Sequence, residues 1–188
     1  MKSGVSMTKY VSLLRGINVG GHRMVRMYDL KELYTSLGFS DVLSYIQSGN
    51  VIFTGDEEEG AALQKYLEEG FEKSFGFHTD IFVRTLAELS AISAKNPFRD
   101  QPNKEAKSIA VVFLATCPEP LAQEALLNAY AGSEEIFILG QEVYIYYPDG
   151  MGRSKLSHSL LEKKLQTVGT ARNWNTVLKL QALLLSNF

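Results

Sequence analysis

Short apolar runs and amphipathic stretches follow one another in the same order twice along the chain, and this repetition limits the fold more than composition does. Tyr10 to Leu14 predicts a strand. Met27, Leu30, Leu33, Tyr34 and Leu37 then recur at helical spacing, with Gly38 where a helix would stop. Val42 to Gln47 and Val51 to Thr54 predict strands joined by the tight turn Ser48-Gly49-Asn50. The acidic run Asp56 to Glu59 opens a helix, since negative charge suits the N-terminal dipole. Leu63, Tyr66, Leu67, Phe71 and Phe75 form the apolar stripe of that helix. Asp80 to Arg84 predicts a fourth strand, and Thr85 with Glu88 spells a capping box for a short helix. Asn96-Pro97 ends it, because a residue before proline avoids helical angles.

The second pass runs alike. Ser108 to Ala115 predicts a strand and Pro118 to Ala131 a helix with Leu121, Ala125 and Leu126 inward. Glu135 to Leu139 and Glu142 to Tyr146 form a hairpin at Gly140-Gln141. Ser154 to Gln166 predicts a helix carrying Leu156, Leu160, Leu161 and Leu165, and Ala171 to Trp174 a short strand. Thr176 would cap a last, leucine-rich helix. The hairpin glycines Gly49 and Gly140 and the caps Thr85 and Thr176 share one offset. Each half therefore reads β-α-β-β-α-β with a trailing helix. The expectation is an α+β tandem of two ferredoxin-like units, residues 7–95 and 107–188, joined by a proline-containing linker at 96–106.

Composition enters as a set of exclusions. The chain has 188 residues, enough for one large or two small cores. Net charge is −2, so no global field recruits nucleic acid or an anionic membrane, and any polyanion site must be local. Cys117 is the single cysteine, which excludes an internal disulfide and fits a reducing, cytoplasmic compartment. It precedes Pro118 at a strand end, where a small buried thiol is expected. No apolar stretch approaches the length of a membrane span. The opening MKSGVS lacks the apolar core of a signal peptide, and Met7 is the expected natural start. His22, His78 and His158 show no ligand spacing, so no metal or other cofactor is expected. No serine lies in a nucleophile elbow, and Glu57 to Glu59 read as a solvated helix start.

Topology gathers the remaining polar motifs. In such a unit strands one and two run parallel, with strand three antiparallel between them. The exit of strand one and the hairpin of strands two and three then share a sheet edge. In LLRGINVGGHR, Leu13 to Arg23, the glycines Gly16, Gly20 and Gly21 let the chain turn sharply and display Arg15 and Asn18 there. Gln47, Ser48 and Asn50 should meet them. The second half likewise sets the segment Tyr147 to Lys155 beside Arg172 to Thr176. Candidate ligand contacts are Arg15, Asn18, Ser48, Asn50, Gly150, Gly152, Arg153, Ser154, Lys155, Arg172 and Asn173. Free amides at a helix start, with Arg153, Lys155 and Arg172 nearby, suit a small phosphate- or carboxylate-bearing ligand. P-loop spacing is missing, so a Walker-type ATPase is not expected.

Each motif also has a plainer reading. Ser154 is a helix cap, Arg15 and Asn18 form a turn network, Trp174 is core, and the polar motifs glue the repeats together. A third reading is an RNA-binding module of the RRM type, built on the same unit, with Tyr144 and Tyr146 on one face. The pI of about 6.0 and the missing basic-aromatic signature speak against nucleic acid. The order of preference is small-molecule site, internal glue, then RNA.

Four blocks in order, LLRGINVGG, IQSGNVIF, YPDGMGRSK and TARNWNTVLKL, span nearly the whole chain. Together they resemble a mostly bacterial family, domain-of-unknown-function family 1697. The resemblance implies a tandem ferredoxin-like α+β fold. It brings no established activity, cofactor or catalytic residue.

Overall fold

The computed structural model describes residues 7–56 and 60–186. The opening MKSGVS and the acids Glu57 to Glu59 lie outside the described residues. The first half runs β1 (Met7–Leu14), α1 (Met27–Ser36), β2 (Ser40–Tyr45), β3 (Asn50–Asp56), α2 (Gly60–Phe75), β4 (Ile81–Thr85) and α3 (Leu86–Ala94). The second runs β5 (Ile109–Leu114), α4 (Pro120–Ala129), β6 (Glu135–Leu139), β7 (Glu142–Tyr146), α5 (His158–Leu165), β8 (Gly169–Asn173) and α6 (Trp174–Leu185). The strands make two four-stranded sheets, ordered β2-β3-β1-β4 and β6-β7-β5-β8, with every pairing antiparallel. The protein is a mixed α+β chain of two repeated units, with six α-helices among the described residues. None of these helices is long and apolar enough to cross a membrane.

In the first unit, alternate residues of the strands turn Tyr10, Leu14, Val51, Phe53, Ile81 and Val83 toward the apolar faces of α1 and α2. Leu30, Leu33 and Tyr34 meet them from α1, and Leu63, Leu67 and Phe71 from α2. Ser12 interrupts this apolar strand. It is fully buried, and its hydroxyl is 2.7 Å from the Tyr34 hydroxyl and donates to the Val51 carbonyl, so the polar group is satisfied. In the second unit Ala110, Val112, Leu114, Val143 and Ile145 pack with Leu126 of α4 and Leu161 and Leu165 of α5.

Several details differ from the sequence expectation. The compact units divide at Ser90/Ala91, inside α3, and residues from Leu180 onward group with the first unit. The segment 96–106 groups with the second unit. Phe98 is buried there, its ring 5.4 Å from Phe137 and 5.9 Å from Tyr146, and the Lys104 ammonium lies 4.7 Å from the Phe98 and Tyr146 rings. Aromatic packing of this kind leaves no trace in a proline count. In α4, Ala122 and Leu126 are buried while Leu121 and Ala125 are exposed. The two rows lie about 100° apart around the helix, and the sheet meets only one of them. Cys117 is exposed, because β5 has already ended at Leu114.

The capping box at α3 forms as expected. The Glu88 amide donates to the Thr85 hydroxyl at 3.2 Å, and the Thr85 amide donates to the Glu88 carboxylate at 2.7 Å. In the second unit Thr176 lies inside α6. The cap is Asn173, whose side-chain carbonyl accepts from the Asn175 amide at 3.0 Å. Thr85 sits opposite Tyr10 in its sheet and Asn173 opposite Ala110 in the other, so Asn173 is the ladder equivalent of Thr85. By the same register Asn50, opposite Leu13, matches Glu142, opposite Phe113. Connecting segments differ in length between the halves, so one constant offset does not mark equivalent positions.

Candidate functional site

The first polar cluster converges as topology requires. The Leu14 amide donates to the Gly49 carbonyl at 2.8 Å, which brings the exit of β1 against the β2–β3 turn. Gly49 has φ +75°, and a Cβ there would lie 2.8 Å from Ile17 Cδ1, so both backbone and packing require glycine. Asn18 donates from Nδ2 to the carbonyls of Val25 (3.0 Å) and Gln47 (2.9 Å) and accepts from the Val25 amide at 2.7 Å. Buried Asn50 donates to the Tyr45 carbonyl at 3.0 Å and the Ser48 hydroxyl at 2.9 Å. Arg15 pairs with Asp80 at 3.3 Å. Arg15, Asn18, Ser48 and Asn50 thus tie their own loops together.

The second cluster separates into two parts. The Tyr147 amide donates to Ser108 and the Asn173 side chain to Lys107, so the ends of β7 and β8 flank the start of β5. Arg172 is only 7% exposed, and its Nη1 donates to the Thr170 hydroxyl at 2.9 Å and the Ala171 carbonyl at 2.8 Å. Burial pulls its pKa down to about 10. Asn173 spends its amide on Lys107 and its carbonyl on the α6 cap. The stretch Gly150 to Lys155 does not open a helix. It forms a 3-10 turn over Met151–Arg153, and α5 begins at His158 under Ser157, whose hydroxyl accepts from the Leu160 amide at 3.2 Å. Ser154 closes a local turn instead, accepting from the Leu156 amide at 3.0 Å. The helix-start amides expected here therefore lie further along the chain.

What the Gly150 to Lys155 turn builds is one wall of a cavity of about 380 Å³. Arg153, Ser154 and Lys155 line it with Asp149 and with Tyr130 to Glu134, the segment that leaves α4. The Tyr130 hydroxyl donates to the Glu134 carboxylate across Gly132, where a Cβ would collide with both groups. The Ser133 hydroxyl donates to Asp149 at 2.9 Å. Burial would raise the Glu134 carboxyl, but hydrogen bonds from Ser154 and Tyr130 outweigh it and hold the group below its ordinary value. Burial and then the bond to Glu134 push the Tyr130 phenol up. Arg153 and Lys155 make no ion pair among the described residues, whereas Arg15, Arg26, Lys65, Lys104 and Lys107 each do. The cavity can therefore offer two available cations beside hydroxyl-held carboxylates.

Of the candidates, the structure brings Arg153, Ser154 and Lys155 to this cavity, with Gly150 and Gly152 in their turn. Arg172 and Asn173 do not line it, and neither does any residue of the first cluster. Tyr130, Ser133, Glu134 and Asp149 escaped the sequence reading, because only the fold brings the end of α4 against the Gly150 to Lys155 turn. Tyr144, half of the stacking face imagined for RNA, is buried and donates to the Ile92 carbonyl at 2.9 Å. Tyr146 packs on Phe98 and Lys104. Among the described residues no group of three or more His, Cys, Asp or Glu is placed to hold a metal ion.

Fold and site define a two-unit α+β protein with four-stranded antiparallel sheets and a small polar cavity in its second unit. The chain belongs to the DUF1697 family, described as protein of unknown function, whose model matches residues 7–144. The motif blocks from Tyr147 onward lie beyond that match. Its structure is similar to that of the conserved bacterial protein SP0830 from Streptococcus pneumoniae, with a TM-score of 0.71 and 26% identity over 95% of this chain and 99% of that one. No curated protein matches the chain.

Proposed function

We propose that this protein binds a small phosphate- or carboxylate-bearing molecule in the second unit, in the cavity between the Gly150 to Lys155 turn and the end of α4. Each unit is then a ferredoxin-like β-α-β-β-α-β module that presents strand-end loops at one edge of its sheet. The carrying observation is the pair Arg153 and Lys155, cations that make no ion pair among the described residues, lining a concave space of about 380 Å³. That volume falls in the range of small-molecule sites. The guanidinium supplies a planar fork for two anionic oxygens, and Lys155 adds a point charge. A lone exposed thiol at Cys117 is in keeping with work in a reducing cytoplasm.

A thermal-shift screen against nucleotides, sugar phosphates, dicarboxylates and short single-stranded RNA tests the reading. Binding to the folded state at about 100 times Kd stabilises it by about 2.7 kcal/mol and raises Tm by several degrees. The expected outcome is a shift from one class of small anion that Arg153→Met abolishes. A screen with no shift, or an equal shift in that variant, overturns the reading; a shift from RNA alone would favour the nucleic-acid alternative.

A further inference from the structure

Resting on that reading, we propose that the cavity selects a zwitterion, a molecule carrying an ammonium group a few bonds from its phosphate or carboxylate. Two carboxylates and two cations face the same space: Glu134 and Asp149 beside Arg153 and Lys155. In most sites with this composition the opposite charges would pair with each other. Here the carboxylates are held by neutral hydroxyls instead, Glu134 by Tyr130 and Asp149 by Ser133.

A hydroxyl donor orients a carboxylate without cancelling its charge, and each carboxylate keeps further lone pairs open. The cations likewise make no ion pair among the described residues. A plain anion entering this space gains from Arg153 and Lys155 but meets two negative charges. A plain cation meets the reverse. A molecule with both charges satisfies both walls, and repulsion rejects its singly charged analogues. Tyr130 and Glu134 meet over Gly132, in the space a Cβ there would occupy. A cavity of the first unit between Phe39, Tyr66 and Asp56 has no cation among its described lining residues.

The test is isothermal titration calorimetry of the full chain with 2-aminoethyl phosphate against ethyl phosphate, and with β-alanine against propionate. Within each pair the ligands share the anion and differ in the ammonium. In at least one pair the zwitterion should bind about tenfold more tightly, a difference of about 1.4 kcal/mol. Glu134→Gln should erase that preference while leaving the plain anion bound as well or better, and Arg153→Met should weaken both ligands. Melting curves of the variants check that they fold. Should Glu134→Gln unfold, Asp149→Asn carries the same comparison. Equal or tighter binding of the plain anion overturns the zwitterion inference and leaves the anion site standing. Binding of neither member in either pair retires both.

Discussion

Arg172 and Arg153 belong to one unit and carry the same side chain, yet their surroundings are opposite. Arg172 lies within the sheet at β8 and serves Thr170 and Ala171, while Arg153 sits on a turn and faces a cavity. Replacing Arg172 with methionine keeps an apolar stem but strands buried acceptors, and each unsatisfied one costs about 1–3 kcal/mol. The expected loss is about 2–4 kcal/mol of unfolding free energy by chemical denaturation, with anion binding unchanged once the protein is folded. A variant as stable as its parent, but unable to bind, would return Arg172 to the site. Asn18 and Asn50 are legible in the sequence as turn residues, since asparagine bonds readily to nearby backbone. Whether an arginine at a strand end reaches solvent, a ligand or its own sheet depends on partners distant in sequence, such as Asp80 for Arg15.

At the scale of the element, local chemistry reads best. The helical spacing from Met27, the Gly38 stop, the Gly140-Gln141 hairpin and the Thr85–Glu88 box all describe interactions within a few residues, and all form. Thr85→Ala removes the hydroxyl that accepts the Glu88 amide and should cost about 1 kcal/mol, as cap deletions do. Thr176→Ala, inside α6, should cost less than Asn173→Ala, which removes the true cap. Equal losses at Thr176 and Asn173 in thermal melts would contradict this assignment. The displaced start of α5 has a similar cause. Ser154 and Ser157 are both competent caps, but Ser154 accepts from the Leu156 amide in a local turn, and the helix-start amide of Leu160 goes to Ser157.

For the whole molecule, the grouping of residues matters more than their order. Residues from Leu180 onward complete the first unit: Leu180 and Leu184 are buried, Lys9 donates to the Ser186 carbonyl at 2.6 Å, and Gln181 donates to Ser90 at 3.2 Å. Deleting 180–188 should therefore destabilise the distant N-terminal half. Loss of two buried leucines alone amounts to about 3–6 kcal/mol. Faster hydrogen exchange in β1 and β4 would show it, while unchanged protection there would argue that the segment contributes nothing to the unit. The sequence by itself determined the strands and helices, their duplicated order and the antiparallel sheets, because hydrophobic periodicity and turn chemistry are local and repeat along the chain. Only the tertiary structure decided that 96–106 is packed and that the chain's last turns serve the first unit. It also drew Tyr130, Glu134 and Asp149 around Arg153 and Lys155 while turning Arg172 inward. Those outcomes are set by which surfaces meet across long stretches of chain, and no spacing in the sequence records that.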